Sequence, residues 1–578
     1  MLIIVSIASI TAALYLLRPA MSALAYTPRV GNTTLEMLPW VFHEPSVGNR
    51  LSLSVPVHWY TPRTWRVVPD DELVAIQING HNVPLDSIHA DALHDWGKGF
   101  EFDFSPWLTN GNNVVTFELN NRGGDGGITF RPVDGKRWVI LWLAFLPWLY
   151  LLSRVIRLPR YQTVIIALAL AVICNYWSIT PWISRTHDVW GVDSHDGHID
   201  YVIRIAHTLS LPGPNEKWEL FQPPLYYIGG AIVWRWAEWL HLSPPEAVQA
   251  YSLLLWIIFL VGSGALINIV LRDRRVAAGF AIAAVAFWPS GIISSVCINN
   301  DVGFYACASL ATLFMVRWWR SNKASYLLLA SLFAALGLIA KSTALVLVAT
   351  LGLLMLLRMV RHQRWCRWQP WKAYLSSATI ILIGFSLGIG RKLFYYWNGS
   401  VSNWLTGDNA TFLGDWLKVP AKVGNFIPLD LATFLSYPWA DLTNDAHGRN
   451  NFWNLLLRTS LTGEYSFSGV MQERIAFLWG GLLVILLAIL ASQWKRLRTH
   501  GNAWRYAPLL IISMLWLASL ISFRIQVSYS CNNDFRYLLP ILVPFSIACA
   551  TSGTIARICL VAVALGSTLF FATLGYGP

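Results

Sequence analysis

The amino-acid sequence predicts a polytopic α-helical membrane protein with a β-sandwich inserted near its N-terminus. Of its 578 residues, 55% are hydrophobic and only 13% are charged, whereas a soluble domain has about 25% charged residues. Apolar runs long enough to cross a bilayer recur along most of the chain. The exception is the segment 27–135, where polar residues, proline and glycine are common and apolar residues alternate with polar ones.

We predict about thirteen membrane spans, because each long apolar run is followed by a polar turn. In chain order they cover residues 2–17, 137–153, 161–180, 249–271, 276–296, 302–318, 324–340, 343–358, 374–390, 476–492, 506–524, 537–552 and 556–573. The first, within residues 1–26, is interpreted as a membrane span or an uncleaved signal anchor. A cleaved signal peptide is the alternative, since Ala23-Leu24-Ala25 resembles a cleavage site.

The basic residues give this topology its direction. Short Lys and Arg clusters alternate with the spans, and all of them fall on one side, as the positive-inside rule expects. The net charge of +12 therefore indicates membrane orientation, and we expect no nucleic-acid partner. The segment 222–242 contains Arg235, Glu238 and His241 and has no place in the count. We predict that it is re-entrant or lies along the outer interface.

The topology divides the chain into five parts. After the N-terminal span come a β domain outside the cytoplasm, a transmembrane core, a polar region outside the cytoplasm and a set of C-terminal spans. These parts cover residues 1–26, 27–135, 136–390, 391–475 and 476–578. The core includes an acidic outer loop over residues 181–248.

The β domain is predicted from period-2 alternation bounded by Asn-Gly and Gly-Gly turns, which is typical of antiparallel strands. The run from INGHNVPL to NVVTFELNNRGG resembles the galactose-binding-like jelly roll that is attached to many sugar-processing enzymes. The resemblance implies binding of a glycan or acceptor. A structural lid over an active site is the alternative.

The acidic outer loop contains the densest group of ionisable residues, which read HDVWGVDSHDGHIDY from His187 to Tyr201. Ionisable groups at a membrane edge cost free energy, so a function is the default explanation. Asp193 and Asp196 are candidate catalytic bases. Together with His195 and His198 they could also ligate a divalent metal, because imidazole and carboxylate suit zinc or manganese. A solvated acidic loop without catalytic function is the alternative.

Three further polar features fall on the same predicted side of the membrane. Asp301 opens a span after two asparagines, Lys341 lies at the turn of a tight helical hairpin, and Arg536 precedes a late span. Cations beside carboxylates at one membrane depth suit a phosphate-bearing lipid as substrate. The alternatives are a helix N-cap role for Asp301 and snorkelling of Lys341 to the interface.

These motifs, in this order, resemble the GT-C superfamily of integral membrane glycosyltransferases, which contains protein O-mannosyltransferases and lipid A aminoarabinose transferases. The matching elements are the acidic loop, QPPLYY at 222–227, NND at 299–301, GLIAKST at 337–343 and RYLLP at 536–540. The commonest loop of the family has an Asp-Glu pair ahead of the histidine. Here Asp193 and Asp196 flank His195, so the choice of base stays open.

The resemblance implies an inverting glycosyltransferase that moves a sugar from a polyprenyl-phosphate donor to a protein, lipid or glycan acceptor. Lys341 and Arg536 would hold the donor phosphate, Asp301 would be a second functional acid, and His198 would contact the phosphate or support the site. Gln222 and Tyr226 would shape the donor pocket, although PPLYY could instead be an interfacial anchor. We expect a bacterial inner membrane location with the site facing the periplasm or exterior.

Two other functions fit parts of the pattern. A ligase or polymerase of lipid-linked glycans would use similar chemistry, and the β domain could hold a long glycan. A flippase or transporter of lipid-linked sugars is disfavoured, because transporters often have internal repeats and place ionisable residues near the bilayer midplane.

Overall fold

The structure is a computed structural model. It describes residues 2–16, 29–30, 33–34, 40–42, 46–57, 59, 61–69, 72–94, 99–121, 126–133, 137–179, 197–213, 219–362, 368–404, 408, 415–467, 469–499 and 503–574. Helices dominate the described part of the chain, and strands are confined to its N-terminal region.

The α-helices are numbered here in chain order within the described residues. They are α1 (Leu2–Leu16), α2 (Arg137–Ile156), α3 (Arg160–Ile179), α4 (His198–Thr208), α5 (Leu225–Trp239), α6 (Pro244–Val270), α7 (Arg275–Ala286), α8 (Pro289–Ser294), α9 (Asp301–Ser321), α10 (Ala324–Ala340), α11 (Leu345–His362), α12 (Trp368–Phe385), α13 (Arg391–Trp397), α14 (Leu431–Ser436), α15 (Phe452–Thr462), α16 (Val470–Thr499), α17 (Ala507–Gln526), α18 (Leu542–Ser552) and α19 (Thr554–Ala572).

The membrane architecture predicted from the sequence is confirmed. In the described residues, ten helical segments are long and apolar enough to cross a membrane, and three shorter apolar helices are Ile3–Leu16, Arg275–Ala286 and Ala324–Ala340. Two of the shorter helices coincide with the spans predicted over 2–17 and 324–340, and the third covers the first half of the span predicted over 276–296. Helix α5 is not among the candidate spans, and the re-entrant or interfacial position of 222–242 stays a prediction.

Two predicted spans have different boundaries in the structure. The span predicted over 276–296 is broken between α7 and α8, because Trp288 is extended (φ −64°, ψ 129°) ahead of Pro289, and a proline inside a helix removes a backbone hydrogen bond. The span predicted over 374–390 continues to Trp397, because a π-helical turn over Ser386–Gly390 joins α12 to α13.

Helix α9 forms the centre of the transmembrane bundle, since 78% of its most apolar stretch is buried. It packs against α6 and α10, and α10 in turn packs against α12. Asp301 begins α9 and Lys341 follows α10, so this antiparallel pair brings the start of one helix beside the end of the next. The geometry of the bundle thus gathers polar side chains at one of its ends.

The N-terminal strands form two antiparallel sheets. They are β1 (Arg29–Val30), β2 (Thr33–Thr34), β3 (Trp40–Phe42), β4 (Ser46–Val57), β5 (Thr64–Pro69), β6 (Glu72–Ile78), β7 (His81–Val83), β8 (Phe100–Asp103), β9 (Gly111–Asn121) and β10 (Gly126–Pro132). The strand orders are β2-β1-β4-β9-β6-β7 and β3-β10-β5-β8.

The two sheets bury a common core, which confirms the predicted β-sandwich. Trp65 of one sheet stacks on Phe130 with ring centroids 4.4 Å apart, and Phe117 of the other sheet meets Phe130 edge to face at 5.1 Å. The hairpin between β6 and β7 turns at Asn79 (φ 53°) and Gly80 (φ 83°), the backbone that an Asn-Gly turn favours. Alternating burial along β9 matches the period-2 pattern of its sequence.

Candidate active site

The first element of the site is a buried ion pair between two predicted residues, Asp301 and Lys341. Asp301 is the first residue of α9, where the positive end of the helix dipole favours a carboxylate. Lys341 ends α10 in an extended conformation (φ −156°, ψ 138°), and its ammonium donates a hydrogen bond to the Asp301 carboxylate. Their residue exposures are 1% and 8%. The side-chain amide of Asn300 donates a hydrogen bond to the backbone carbonyl of Ala340 at 3.1 Å, which joins the two helix ends.

The second element is the segment Asp534–Tyr537, which contains the predicted Arg536. The amide of Arg536 donates to the Asp534 carboxylate at 2.9 Å, and its Nε lies 3.5 Å from the same carboxylate. The hydroxyl of Tyr305, on α9, donates to the Arg536 carbonyl at 2.7 Å. A residue of the central helix therefore sets the position of this segment.

The two ion pairs belong to one cluster. The Lys341 ammonium lies 4.9 Å from the centre of the Tyr537 ring, a cation–π distance, and Arg536 donates to the Tyr537 hydroxyl at 3.2 Å. Asp534 interacts electrostatically with both Asp301 and Lys341. Cations and carboxylates from positions 301, 341 and 536 thus meet at one place.

The third element surrounds His198, the first residue of α4. Its Nδ1 lies 2.6 Å from the Tyr227 hydroxyl and 3.9 Å from the Glu219 carboxylate. Burial raises the pKa of Tyr227 well above its usual range, so this hydroxyl keeps its proton. Tyr227 also lies within electrostatic range of Asp301, so the His198 element and the buried ion pair belong to the same region of the bundle.

The residues predicted to shape the donor pocket lie beside this element. The backbone carbonyl of Gln222 accepts a hydrogen bond from the Tyr201 hydroxyl at 3.2 Å, and the backbone amide of Gln222 donates to the backbone carbonyl of Glu219 at 3.2 Å. The Tyr226 hydroxyl is bonded to Ser252 of α6 at 2.7 Å, and the side chain is fully buried. Tyr226 thus fixes α5 against α6, whereas the next residue along the chain reaches His198.

Four residues of the cluster were not singled out from the sequence. They are Glu219, Tyr227, Asp534 and Lys392, each buried and each in contact with a predicted residue or its neighbour. Tyr227 is the last residue of the QPPLYY motif, and Glu219 and Asp534 lie within three positions of Gln222 and Arg536, so the sequence around both motifs contains all three. Lys392 carries a different signal, because it is a lysine inside a long apolar run.

Three predicted residues, Asp193, His195 and Asp196, lie outside the described residues. The identity of the catalytic base and the metal site therefore remain predictions. Within the part of the chain that the structure describes, no group of three or more His, Cys, Asp or Glu side chains could hold a metal ion. Of the four predicted ligands only His198 is described.

Arg458, a residue of the polar region 391–475, has a structural position. Its guanidinium donates to the carbonyls of His447 and Thr433, and it also lies 3.4 Å from the Phe434 carbonyl. These contacts fasten the segment around α14 to α15. The amide of Phe535 donates to Thr459 on the same helix at 3.0 Å, so α15 connects this segment to the site.

One protein-family model matches part of the chain, including the helices of the buried ion pair. Residues 240–389, which include Asp301 and Lys341, match the family model described as dolichyl-phosphate-mannose-protein mannosyltransferase. The match supports a GT-C superfamily glycosyltransferase. It covers α6 to α12, the helices that carry the buried ion pair.

The other comparisons add less. No curated protein matches the chain. Among solved structures, the chain is similar to ArnT from Cupriavidus metallidurans in the apo state, with 12% identity and a TM-score of 0.32 over 71% of this chain and 77% of that chain. The family model accordingly supports membrane glycosyl transfer, and the roles of the site residues stay predictions.

Proposed function

We propose that this protein is an inverting glycosyltransferase that moves a sugar from a polyprenyl-phosphate donor to an acceptor on the extracytoplasmic side of the membrane. The observation that supports this most is the buried pair of Asp301 and Lys341 beside Arg536. Burying charges in a membrane protein costs free energy. Binding of an anionic phosphate by the cations would explain why they lie at this depth. The bacterial inner membrane, with the site facing the periplasm, is the proposed location.

In the proposed reaction, Asp193 or Asp196 takes the proton from an acceptor hydroxyl or amine. The acceptor atom then bonds to the anomeric carbon from the face opposite the phosphate. The bond between that carbon and the phosphate oxygen breaks, and its electron pair stays on the departing polyprenyl phosphate. The sugar configuration inverts because the bond forms on the opposite side from the bond that breaks.

Lys341 and Arg536 stabilise the leaving group in this proposal. Negative charge grows on the phosphate oxygen as the bond breaks, and preorganised cations lower the free energy of that transition state. Asp301 and Asp534 hold the two cations in place, through the hydrogen bond from the Lys341 ammonium and the 3.5 Å contact of the Arg536 Nε. Gln222 and Tyr226 would line the adjacent part of the donor pocket.

In this proposal His198 contacts the donor phosphate or supports the base. Its Nδ1 lies 2.6 Å from the Tyr227 hydroxyl. A divalent metal would be bound by Asp193, His195, Asp196 and His198. His198 would then use Nε2, because Nδ1 is already hydrogen-bonded, and imidazole nitrogen is an ordinary ligand for such an ion.

The test uses the purified full-length protein in lipid nanodiscs with a set of polyprenyl-phosphate-linked sugars. We expect release of polyprenyl phosphate and transfer of one sugar, and loss of both in Asp193→Asn/Asp196→Asn. Retention of transfer in that double variant would refute the assignment of the base. Intact-mass analysis of the products separates this activity from a ligase, which would transfer a long preassembled glycan.

A further inference from the structure

Lys392 is a second buried lysine at the same end of the bundle, and the sequence of events proposed above does not use it. It is the second residue of α13 and is 2% exposed. Its ammonium donates a hydrogen bond to the Ser342 hydroxyl at 3.2 Å and lies 4.5 Å from the centre of the Phe221 ring. Ser342 directly follows Lys341, so lysines from two different helices converge on one turn.

The structure brings Lys392 to this turn by two local devices. The first is the π-helical turn over Ser386–Gly390. One extra residue rotates the following helix by about 100° relative to a continuous α-helix, and such turns often occur at functional sites. Without it, position 392 would point in a different direction.

The second device is the close approach of this helix to α10. A Cβ atom at Gly384 would lie 2.5 Å from the Ala335 Cβ, and one at Gly388 would lie 2.3 Å from the Leu338 carbonyl oxygen. Only glycine allows the two backbones to come so near. Since α10 ends at Lys341, this contact sets the separation between the two lysines.

Lys392 is surrounded by other charged groups. It interacts electrostatically with Glu219, Arg391 and Lys341, and Glu219 lies beside His198. Arg391 donates to the Leu220 carbonyl at 3.1 Å, while its Nη1 is buried without a hydrogen-bond partner. Lys341 is paired with Asp301, whereas the neighbouring cations Lys392 and Arg391 repel each other, and an anion between them relieves that repulsion.

We propose that Lys392 is a second cation of the donor phosphate site and binds a phosphate oxygen that Lys341 and Arg536 do not hold. This rests on the proposed function, because the anion is the phosphate of the polyprenyl donor. In the donor this phosphate is a diester with two non-bridging oxygens. When its bond to the sugar breaks, it becomes a monoester with three, which accepts charge-assisted hydrogen bonds from several cations at once. Lys392 approaches from the side of Phe221, next to Gln222, which was predicted to shape the same pocket.

The test measures binding of polyprenyl monophosphate and of the matching uncharged polyprenol to the full-length protein in nanodiscs. Lys392→Gln keeps a hydrogen-bond donor for Ser342 and removes the charge, and Lys392→Arg keeps the charge. Lys372→Gln removes an exposed lysine from the adjoining helix α12 as a control. We expect Lys392→Gln to weaken binding of the phosphate by about ten-fold or more and binding of the polyprenol by less than about two-fold.

Each outcome decides the proposal. Equal phosphate affinity in Lys392→Gln and wild type would overturn it. An equal loss for phosphate and polyprenol would also overturn it, because Lys392 would then support only the shape of the pocket. If Lys392→Gln fails to fold, Lys392→Arg decides: near-normal preference for phosphate over polyprenol supports the proposal, and a lost preference in a stable Lys392→Arg protein contradicts it. If the wild type shows no such preference, while Lys341→Met behaves like the wild type, the proposed function itself fails.

Discussion

The ammonium of Lys341, at the end of α10, donates a hydrogen bond to the carboxylate of Asp301, the first residue of α9, with both residues buried. Forty residues separate them in the chain, and the antiparallel packing of two helices brings them together. A buried charge that loses its partner is strongly unfavourable, whereas a pair that is replaced as a unit is tolerated. This asymmetry leads to the first prediction.

Replacing one member of the pair destabilises the protein more than replacing both. We expect Lys341→Met and Asp301→Asn each to lower the free energy of unfolding by about 3–5 kcal/mol. The double variant Asp301→Asn/Lys341→Met should recover most of that stability and still lack sugar transfer. Denaturant unfolding in detergent and a transfer assay measure both quantities, and a double variant that loses the sum of the single losses would contradict the pair.

The hydroxyl of Tyr227 is expected to support His198. Tyr227→Phe removes the 2.6 Å contact to Nδ1 and leaves the ring that stacks on Tyr201 at 4.0 Å. A buried hydrogen bond is worth about 1–3 kcal/mol when one partner is left unsatisfied, so the transfer rate should fall by about ten-fold. Tyr150→Phe, at a half-exposed position of α2, is the matched control. A wild-type transfer rate in Tyr227→Phe would show that the Tyr227 hydroxyl does not support the reaction.

The glycines that face α10 are expected to be intolerant of alanine. Gly388→Ala places a Cβ against the Leu338 carbonyl, and such overpacking costs about 1–3 kcal/mol. Gly481→Ala in α16 meets no atom within 4 Å and should stabilise the helix slightly, because alanine favours a helix over glycine. Thermal unfolding of both variants is the measurement. Equal stability of the two would show that the helices do not approach as closely as described.

The carboxylate of Asp441 predicts a pH dependence of stability outside the membrane spans. Burial raises the pKa of Asp441, but hydrogen bonds from Thr443 and His447 outweigh it and lower the pKa from 3.8 to about 2. The folded pKa is below the unfolded one, so this stabilisation is present above the unfolded pKa and is lost as pH falls toward 2.

Asp441→Asn should therefore lower Tm by a constant amount from about pH 5 upward, and the difference from wild type should shrink between about pH 4 and pH 2. The relevant contacts are local, with His447 Nδ1 2.7 Å from the Asp441 carboxylate. Thermal unfolding across this pH range is the check. A difference that grows as the pH falls would contradict the sign of the shift.

Charge in an apolar context made much of the site predictable from the sequence. Asp301, Lys341 and Arg536 were singled out because ionisable residues at the ends of spans are costly, and the structure brings all three together. The β-sandwich followed from alternation along strands such as β9. In both cases the pattern lies within a short stretch of sequence. The free-energy cost of placing a charge in an apolar stretch, or a polar residue in a buried strand position, does not depend on distant segments.

Features that depend on contacts between distant segments were not predictable. Lys392 reaches the site only because of the π-helical turn and the glycine contacts with α10. The turn has no sequence signature of its own. The four-residue spacing of Gly384 and Gly388 is typical of close helix packing, but it does not identify the helix that packs there. Glu219 lies in an ordinary turn and joins the site through His198. Pro289 is a sequence signal for a break in the span predicted over 276–296. The surrounding residues are apolar enough to predict one continuous span instead.

The most direct test of the central claim is a density map of the full-length protein with polyprenyl monophosphate bound. The account predicts that the phosphate lies within hydrogen-bond distance of Lys341 and Arg536, with Asp193 or Asp196 facing the position of the sugar carbon. A phosphate bound at the opposite end of the bundle, or one out of reach of both cations, would contradict it.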